Sequence, residues 1–386
     1  MPWVFFYKNN NKDYDIINKL KNSLSKCLTH YYPFAGRLPS PPPASYVDCN
    51  DQGIEFLEAS IDVPLEEFVL KRDPDETIIK KLVPSVGIES NRLLEVQVNH
   101  FSCGGVGVAV SITHKIADGF TKAYLVNHWA TVTRGGSPIN PTFISYPIRD
   151  NNQDGQSHDR MKSPSKDKYT QKRFVFCNSK LGDLKNKINN TAGVTPLNPT
   201  RVESLASLLF KCAVNAATTK AGGSFQPSNL TLAVNMRDNV VSTASLNNVV
   251  GNVVNLAVAK MATDDIQLNE VITSLRKDRM EMQGGVIKDV DENGEMFLKK
   301  KMGLVLDKSR RTYTCTSLCN SPMYKVDFGW GNPLRVILQT SKFNDSSYFI
   351  LMDTPSGDGI EATVILKEEE MTFFQNDKEF LSFVQD

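Results

Sequence analysis

One histidine in this chain stands ahead of an acid at a spacing that suits proton transfer, in Thr113-His114-Lys115-Ile116-Ala117-Asp118-Gly119. Imidazole is the side chain whose ordinary titration lies near neutrality, so His114 can accept a proton at neutral pH. A carboxylate four residues on can fix the ring tautomer or hold the backbone around it. The chain has five histidines, so such a pairing also arises by chance, and a satisfied loop histidine is the plain alternative. Asp118 has a plain alternative too, as the N-cap of a helix that starts at Gly119. A second string is rarer: Val326-Asp327-Phe328-Gly329-Trp330-Gly331-Asn332-Pro333. Its Gly-x-Gly step lets the backbone turn with positive φ. Trp330 is the expected anchor of that loop, through burial of its large ring.

The elements that must position these residues are legible from periodicity. Residues 93–101 alternate and read as a strand, with Leu94, Val96 and Val98 on one face and Glu95, Gln97 and Asn99 on the other. Gly104-Gly105 breaks it, and Val106 to Ile112 forms a short apolar strand. His114 therefore sits where a buried strand runs out, which holds a side chain rigidly yet leaves it accessible. A helix follows from Gly119 through Trp129. Apolar spacing predicts further helices over 14–30, 201–218 and 267–282. Strand-like runs recur at Arg173–Cys177, Leu230–Val234, Val249–Ala257, Leu334–Gln339 and Tyr348–Met352. Helices and strands mix in both halves, so the expected class is α/β or α+β in two domains. The polar stretch 151–172 reads as the linker between residues 1–150 and 173–386.

Composition bounds the function. The 386 residues suffice for two domains with substantial cores. Lys plus Arg is 44 against 43 for Asp plus Glu, a net charge of +1, which argues against a nucleic-acid binder with a strongly basic surface. No apolar run reaches the ~20 residues that span a bilayer. The start, Met1-Pro2-Trp3-Val4-Phe5-Phe6-Tyr7, is too short and uncharged for a secretory signal, so the expected place is the cytoplasm and no membrane. Seven scattered cysteines read as free thiols, and Cys315 and Cys319 have no second pair to complete a zinc site, so no metal is expected. There is no Gly-x-Ser-x-Gly elbow for an acyl-serine route. The Asp-Phe-Gly triplet is not that of a kinase, because the Gly-rich loop, the Val-Ala-Ile-Lys strand and the His-Arg-Asp loop are all missing.

Taken together, His-x-x-x-Asp-Gly at His114–Gly119 and Asp-Phe-Gly-Trp-Gly at Asp327–Gly331 resemble the marks of the plant BAHD acyltransferase family. The resemblance continues in Tyr32-Pro33-Phe34-Ala35-Gly36-Arg37, Val47-Asp48-Cys49-Asn50-Asp51-Gln52-Gly53, Val234-Asn235-Met236-Arg237 and Gly357-Asp358-Gly359-Ile360-Glu361-Ala362. The wording is closest to the branch that acetylates alkaloids. The resemblance implies two chloramphenicol-acetyltransferase-like domains, mixed sheets flanked by helices, with a channel between them. It implies acetyl transfer from acetyl-CoA, or another acyl-CoA, to a hydroxyl of an alkaloid or other bulky metabolite. The enzyme would be a monomer with no permanently bound cofactor. His114 would be the general base and Asp118 a structural residue paired with Arg237. Thr316, eleven residues before Asp327, would be the oxyanion donor. Leu318 stands where the family often has tryptophan, so the acceptor wall is expected to differ. Asp327, Phe328, Gly329, Trp330 and Gly331 would form a structural loop. Family chains begin further upstream, with a strand this chain lacks, so an exposed sheet edge is expected. Transfer to an amine, or an idle ligand-binding relative, are the rival readings.

Overall fold

The structure is a computed structural model and describes residues 2–8, 15–39, 46–84, 91–137, 139–143, 167–191, 196–237, 248–284, 303, 307, 309–340 and 346–385. The chain divides into two compact units. The first holds Met1–Met161, Thr243–Val253 and Ser321–Lys342, and the second Lys162–Ser242, Val254–Asn320 and Phe343–Asp386.

In the first unit, β1 (Trp3–Tyr7), β2 (Glu55–Ile61), β3 (Leu94–Phe101), β4 (Val106–Ile112) and β11 (Arg335–Leu338) form one mixed sheet in the order β11-β1-β4-β3-β2. Its two faces are packed differently. Val4 and Phe6 of β1 meet Leu65, Phe68, Ile79, Leu82 and Phe101, a cluster that includes the short helices α2 (Glu66–Val69) and α3 (Glu76–Ile79). Phe6 stacks on Phe68 with ring centroids 5.5 Å apart. The alternate residues of β1 point the other way, where Lys122 lies 4.7 Å from the Trp3 ring centre. That residue belongs to α4 (Gly119–Thr133), which packs on α1 (Ile16–His30). The α4 indole of Trp129 donates to the Leu20 carbonyl (3.2 Å) and the Ser23 hydroxyl (3.1 Å), tying the two helices together.

In the second unit, β6 (Tyr169–Cys177), β7 (Ser228–Asn235), β9 (Val254–Met261), β10 (Arg311–Ser317), β12 (Ser347–Asp353) and β13 (Gly359–Lys367) form a sheet in the order β6-β13-β12-β10-β7-β9. β10 runs parallel to both neighbours and the other pairs are antiparallel. Helices α5 (Asn178–Thr191), α6 (Arg201–Lys220), α7 (Leu268–Gly284) and α8 (Glu368–Phe374) accompany it. Helix α6 starts on a full capping box between Thr200 and Glu203, and the Arg276 guanidinium also clamps Glu203 at 2.9 and 2.8 Å.

Mixed sheets flanked by helices are the expected class, and several details differ from expectation. Both faces of β3 are buried, because Glu95, Gln97 and Asn99 are 3%, 6% and 0% exposed. The polar face is accommodated by hydrogen bonds: Asn99 Nδ2 donates to the Leu82 carbonyl at 2.8 Å, and Gln97 Nε2 to the Lys81 carbonyl at 2.8 Å. The run Val249–Ala257 is not one strand but β8 (Val249–Val250) and β9, separated at Gly251. β8 pairs instead with β5 (Thr142–Phe143). β1 lies between β11 and β4. That pairing also draws the Asp327–Gly331 segment into the first unit rather than leaving it with residues 173–386. β6 starts at Tyr169, so the last residues of the expected 151–172 linker are strand. Residues 151–166 of that linker lie outside the described residues. All seven cysteines are free, and among the described residues no cluster of metal-ligating side chains occurs. No described helix is long and apolar enough to cross a membrane.

Candidate active site

His114 sits on the turn between β4 and α4, and its side chain is exposed. The strand end is fixed before it, because the Thr113 amide donates to the Leu93 carbonyl at 3.0 Å. Among the described residues nothing hydrogen-bonds the His114 imidazole. Two other histidines show the contrast. His128 is buried and bonded through Nδ1 to the Tyr31 hydroxyl, with burial pushing its pKa down, and His30 Nδ1 lies 2.5 Å from Asn140 Oδ1. Those two rings are engaged by other side chains.

Asp118 has the capping part read from sequence and a second one that was not. It is 3% exposed. One carboxylate oxygen accepts the Thr121 amide at 2.8 Å, closing the first turn of α4. The other accepts the Val253 amide at 3.0 Å. The Thr121 hydroxyl then joins the same distant segment, donating to the Gly251 carbonyl at 3.0 Å and lying 3.1 Å from the Gly251 amide. Asn252 completes it, donating from Nδ2 to the His114 carbonyl at 2.6 Å. Three consecutive residues, Gly251-Asn252-Val253, thus close the His114–Asp118 turn at both ends. Sequence reasoning missed them. The signal was the glycine inside an apolar strand pattern, which marks a bulge or a close backbone approach. Lys122 follows on α4, 4% exposed, and burial lowers its pKa well below the usual range.

The Asp327–Gly331 segment is a loop organised by its first residue. Asp327 Oδ1 accepts the amides of Gly329 (2.7 Å) and Gly331 (2.9 Å). Both glycines have positive φ, +103° and +85°. The anchor is Phe328 rather than Trp330. Phe328 is 3% exposed, edge-on to Trp129 at 4.7 Å and Tyr7 at 5.9 Å, while Trp330 is half-buried against Tyr7. The Tyr7 hydroxyl donates to the Val326 carbonyl at 2.8 Å. The loop is therefore seated on β1 and α4, the helix that Asp118 caps. A Cβ at residue 331 would meet no atom within 4 Å, so strain at positive φ is the only penalty there. Gly331→Ala is expected to lower stability by about 1–2 kcal/mol, read by denaturant unfolding, and Gly331→Asn by less.

Thr316 and Arg237 belong to the second unit. Thr316 lies on β10 in register with Ile350 of β12, and among the described residues nothing hydrogen-bonds its hydroxyl. Leu318 follows it, 5% exposed, with its amide donating to the Leu351 carbonyl at 2.8 Å. Arg237 lies just past β7 and is 2% exposed. Its amide and its guanidinium both donate to Asn235 Oδ1, each at 3.1 Å.

The family model described as "Transferase family" matches residues 1–381. A 17,18-epoxy-17-hydroxycur-19-ene N-malonyltransferase from Strychnos nux-vomica is 36% identical over 382 residues, covering 96% of this chain and 79% of the relative. The crystal structure of vinorine synthase has a TM-score of 0.80 and 28% identity, covering 100% of this chain and 90% of that one. The F. sporotrichioides TRI101 structure, complexed with coenzyme A and T-2, has a TM-score of 0.77 at 16% identity, covering 100% and 95% of the two chains. At that identity the likeness is one of fold.

Proposed function

We propose a reaction for this chain, which belongs to the Transferase family of plant BAHD acyltransferases. It is an acyltransferase of the acyl-CoA-dependent kind, and the reading we favour is acetyl transfer from acetyl-CoA to a hydroxyl of an alkaloid or similarly bulky alcohol. The observation that carries it is the imidazole of His114, exposed and unoccupied on a turn tied down at both ends. In this reading the ring takes the proton as the hydroxyl oxygen attacks the thioester carbonyl carbon. A tetrahedral oxyanion forms, the carbon–sulfur bond breaks, and the imidazolium returns the proton to the departing thiolate. No bond to the protein forms. Thr316 is the proposed donor to the oxyanion, Asp118 and Arg237 hold structure, and Asp327 to Gly331 support α4.

A second reading has specific support. The Strychnos relative is by name an N-malonyltransferase, so an amine acceptor and a malonyl donor compete with the first choice. The deciding experiment incubates the protein with acetyl-CoA or malonyl-CoA and a panel of bulky alcohols and amines. Thiol release and product mass are the signals. An ester formed from acetyl-CoA is expected. Amide or malonyl products alone would replace the first reading with the second. No turnover across the panel, together with clear ligand binding, would identify an idle relative. Thr316→Ala tests the oxyanion role, and a fall in kcat of about a hundredfold without loss of thermal stability is expected. An unchanged kcat would remove Thr316 from the mechanism.

A further inference from the structure

We infer that Asn252 is a positioning residue for the His114 ring, an inference that rests on the general-base reading above. The imidazole is held by no hydrogen bond of its own among the described residues, so its direction is set by the backbone that carries it. That backbone is a turn between the end of β4 and the cap of α4. Its far end is locked by the Asp118 carboxylate on the Thr121 and Val253 amides. Its near end is held from outside the turn by the Thr113 amide on the Leu93 carbonyl at 3.0 Å and, at His114 itself, by the 2.6 Å bond from Asn252 Nδ2 to the His114 carbonyl.

The orientation of the Asn252 amide supports the assignment. Its Oδ1 is buried and, among the described residues, has no hydrogen-bond partner. An amide whose acceptor goes unsatisfied is normally flipped or replaced, because such a group carries a desolvation cost. Flipping here would set Oδ1 against the His114 carbonyl, oxygen to oxygen. The side chain therefore gives up its acceptor to keep its donor on His114. Gly251 serves the same end. It interrupts the strand pattern, and its amide and carbonyl both meet Thr121, which brings Asn252 against the turn. A small displacement of a catalytic group is enough to cost up to about a hundredfold in rate, so a lock on the backbone that bears the base acts on kcat.

The test uses two variants with His114→Ala as the reference, assayed on the acceptor that the panel identifies. Asn252→Ala is expected to lose about tenfold to a hundredfold in kcat, with KM for acyl-CoA and acceptor unchanged and thermal stability largely kept. Asn252→Asp adds a readout that a merely structural role would not move. Its carboxylate opposes the His114 carbonyl, whereas the protonated carboxyl donates an O–H to it. The activity of Asn252→Asp relative to the unaltered protein is therefore expected to rise as pH falls. If Asn252→Ala keeps full kcat while His114→Ala is inactive, the positioning role is wrong and the base survives. If kcat and KM deteriorate together with stability and the Asn252→Asp ratio is flat in pH, Asn252 only holds the fold and the inference is overturned. If His114→Ala is itself active, the base assignment fails, and the positioning role with it.

Discussion

His114→Ala is expected to lower kcat by about a thousandfold to ten-thousandfold while leaving circular dichroism and thermal unfolding unchanged. The magnitude follows from the loss of general-base and general-acid assistance in one group. The unchanged stability follows from the site. The His114 side chain is exposed and, among the described residues, makes no hydrogen bond whose loss would leave a buried partner unsatisfied. The bond that matters for the turn is accepted by the His114 backbone carbonyl, which alanine retains. The substitution thus separates chemistry from folding more cleanly than any other at the site. Near-normal turnover would remove His114 from the reaction.

Asp118→Ala is expected to do the reverse, with its first effect on the yield of soluble protein. The carboxylate is 3% exposed and serves two amides from two distant segments, Thr121 on α4 and Val253 beyond β8. Alanine removes the helix cap, at about 1 kcal/mol. It also leaves the buried Val253 amide without its acceptor, at about 1–3 kcal/mol. The sum, about 2–4 kcal/mol, is a large fraction of the stability of an ordinary domain. Asp118→Asn keeps one oxygen to cap Thr121 but turns an NH2 toward the Val253 amide, so an intermediate loss is expected. Chemical denaturation of whatever protein is recovered reads the series. A well-folded Asp118→Ala protein that is cleanly inactive would instead give Asp118 a direct part in catalysis.

The two predictions separate along the line between what local pattern reveals and what it hides. The strand Val106–Ile112 and the helix from Gly119 were legible because burial imposes periodicity and because an aspartate before a helix has a capping function that needs no distant partner. The place of His114 at a strand terminus followed from those two facts. The contribution of Gly251-Asn252-Val253 could not be read in the same way, since its bonds join residues about 130 positions apart and no local pattern encodes such pairing. The Asp327–Gly331 loop shows both sides at once. Its glycines were legible as positive-φ positions, and they are. The buried anchor was misread, because a tryptophan is the larger ring, but the loop turns Phe328 inward onto Trp129 and leaves Trp330 half covered. The alternation of β3 was legible as well, but not the burial of its polar residues, for which the backbone carbonyls of Lys81 and Leu82 accept from Gln97 and Asn99.

The most direct test of the general-base assignment pairs two titrations of one group. Labelled histidine NMR follows protonation of the His114 ring in the free protein, with His114→Ala used to assign its signal, and kcat/KM for the acceptor is measured across the same pH range. The acid limb of the rate profile is predicted to have the same midpoint as the His114 titration. Full activity at a pH where that ring already carries its second proton would contradict the account.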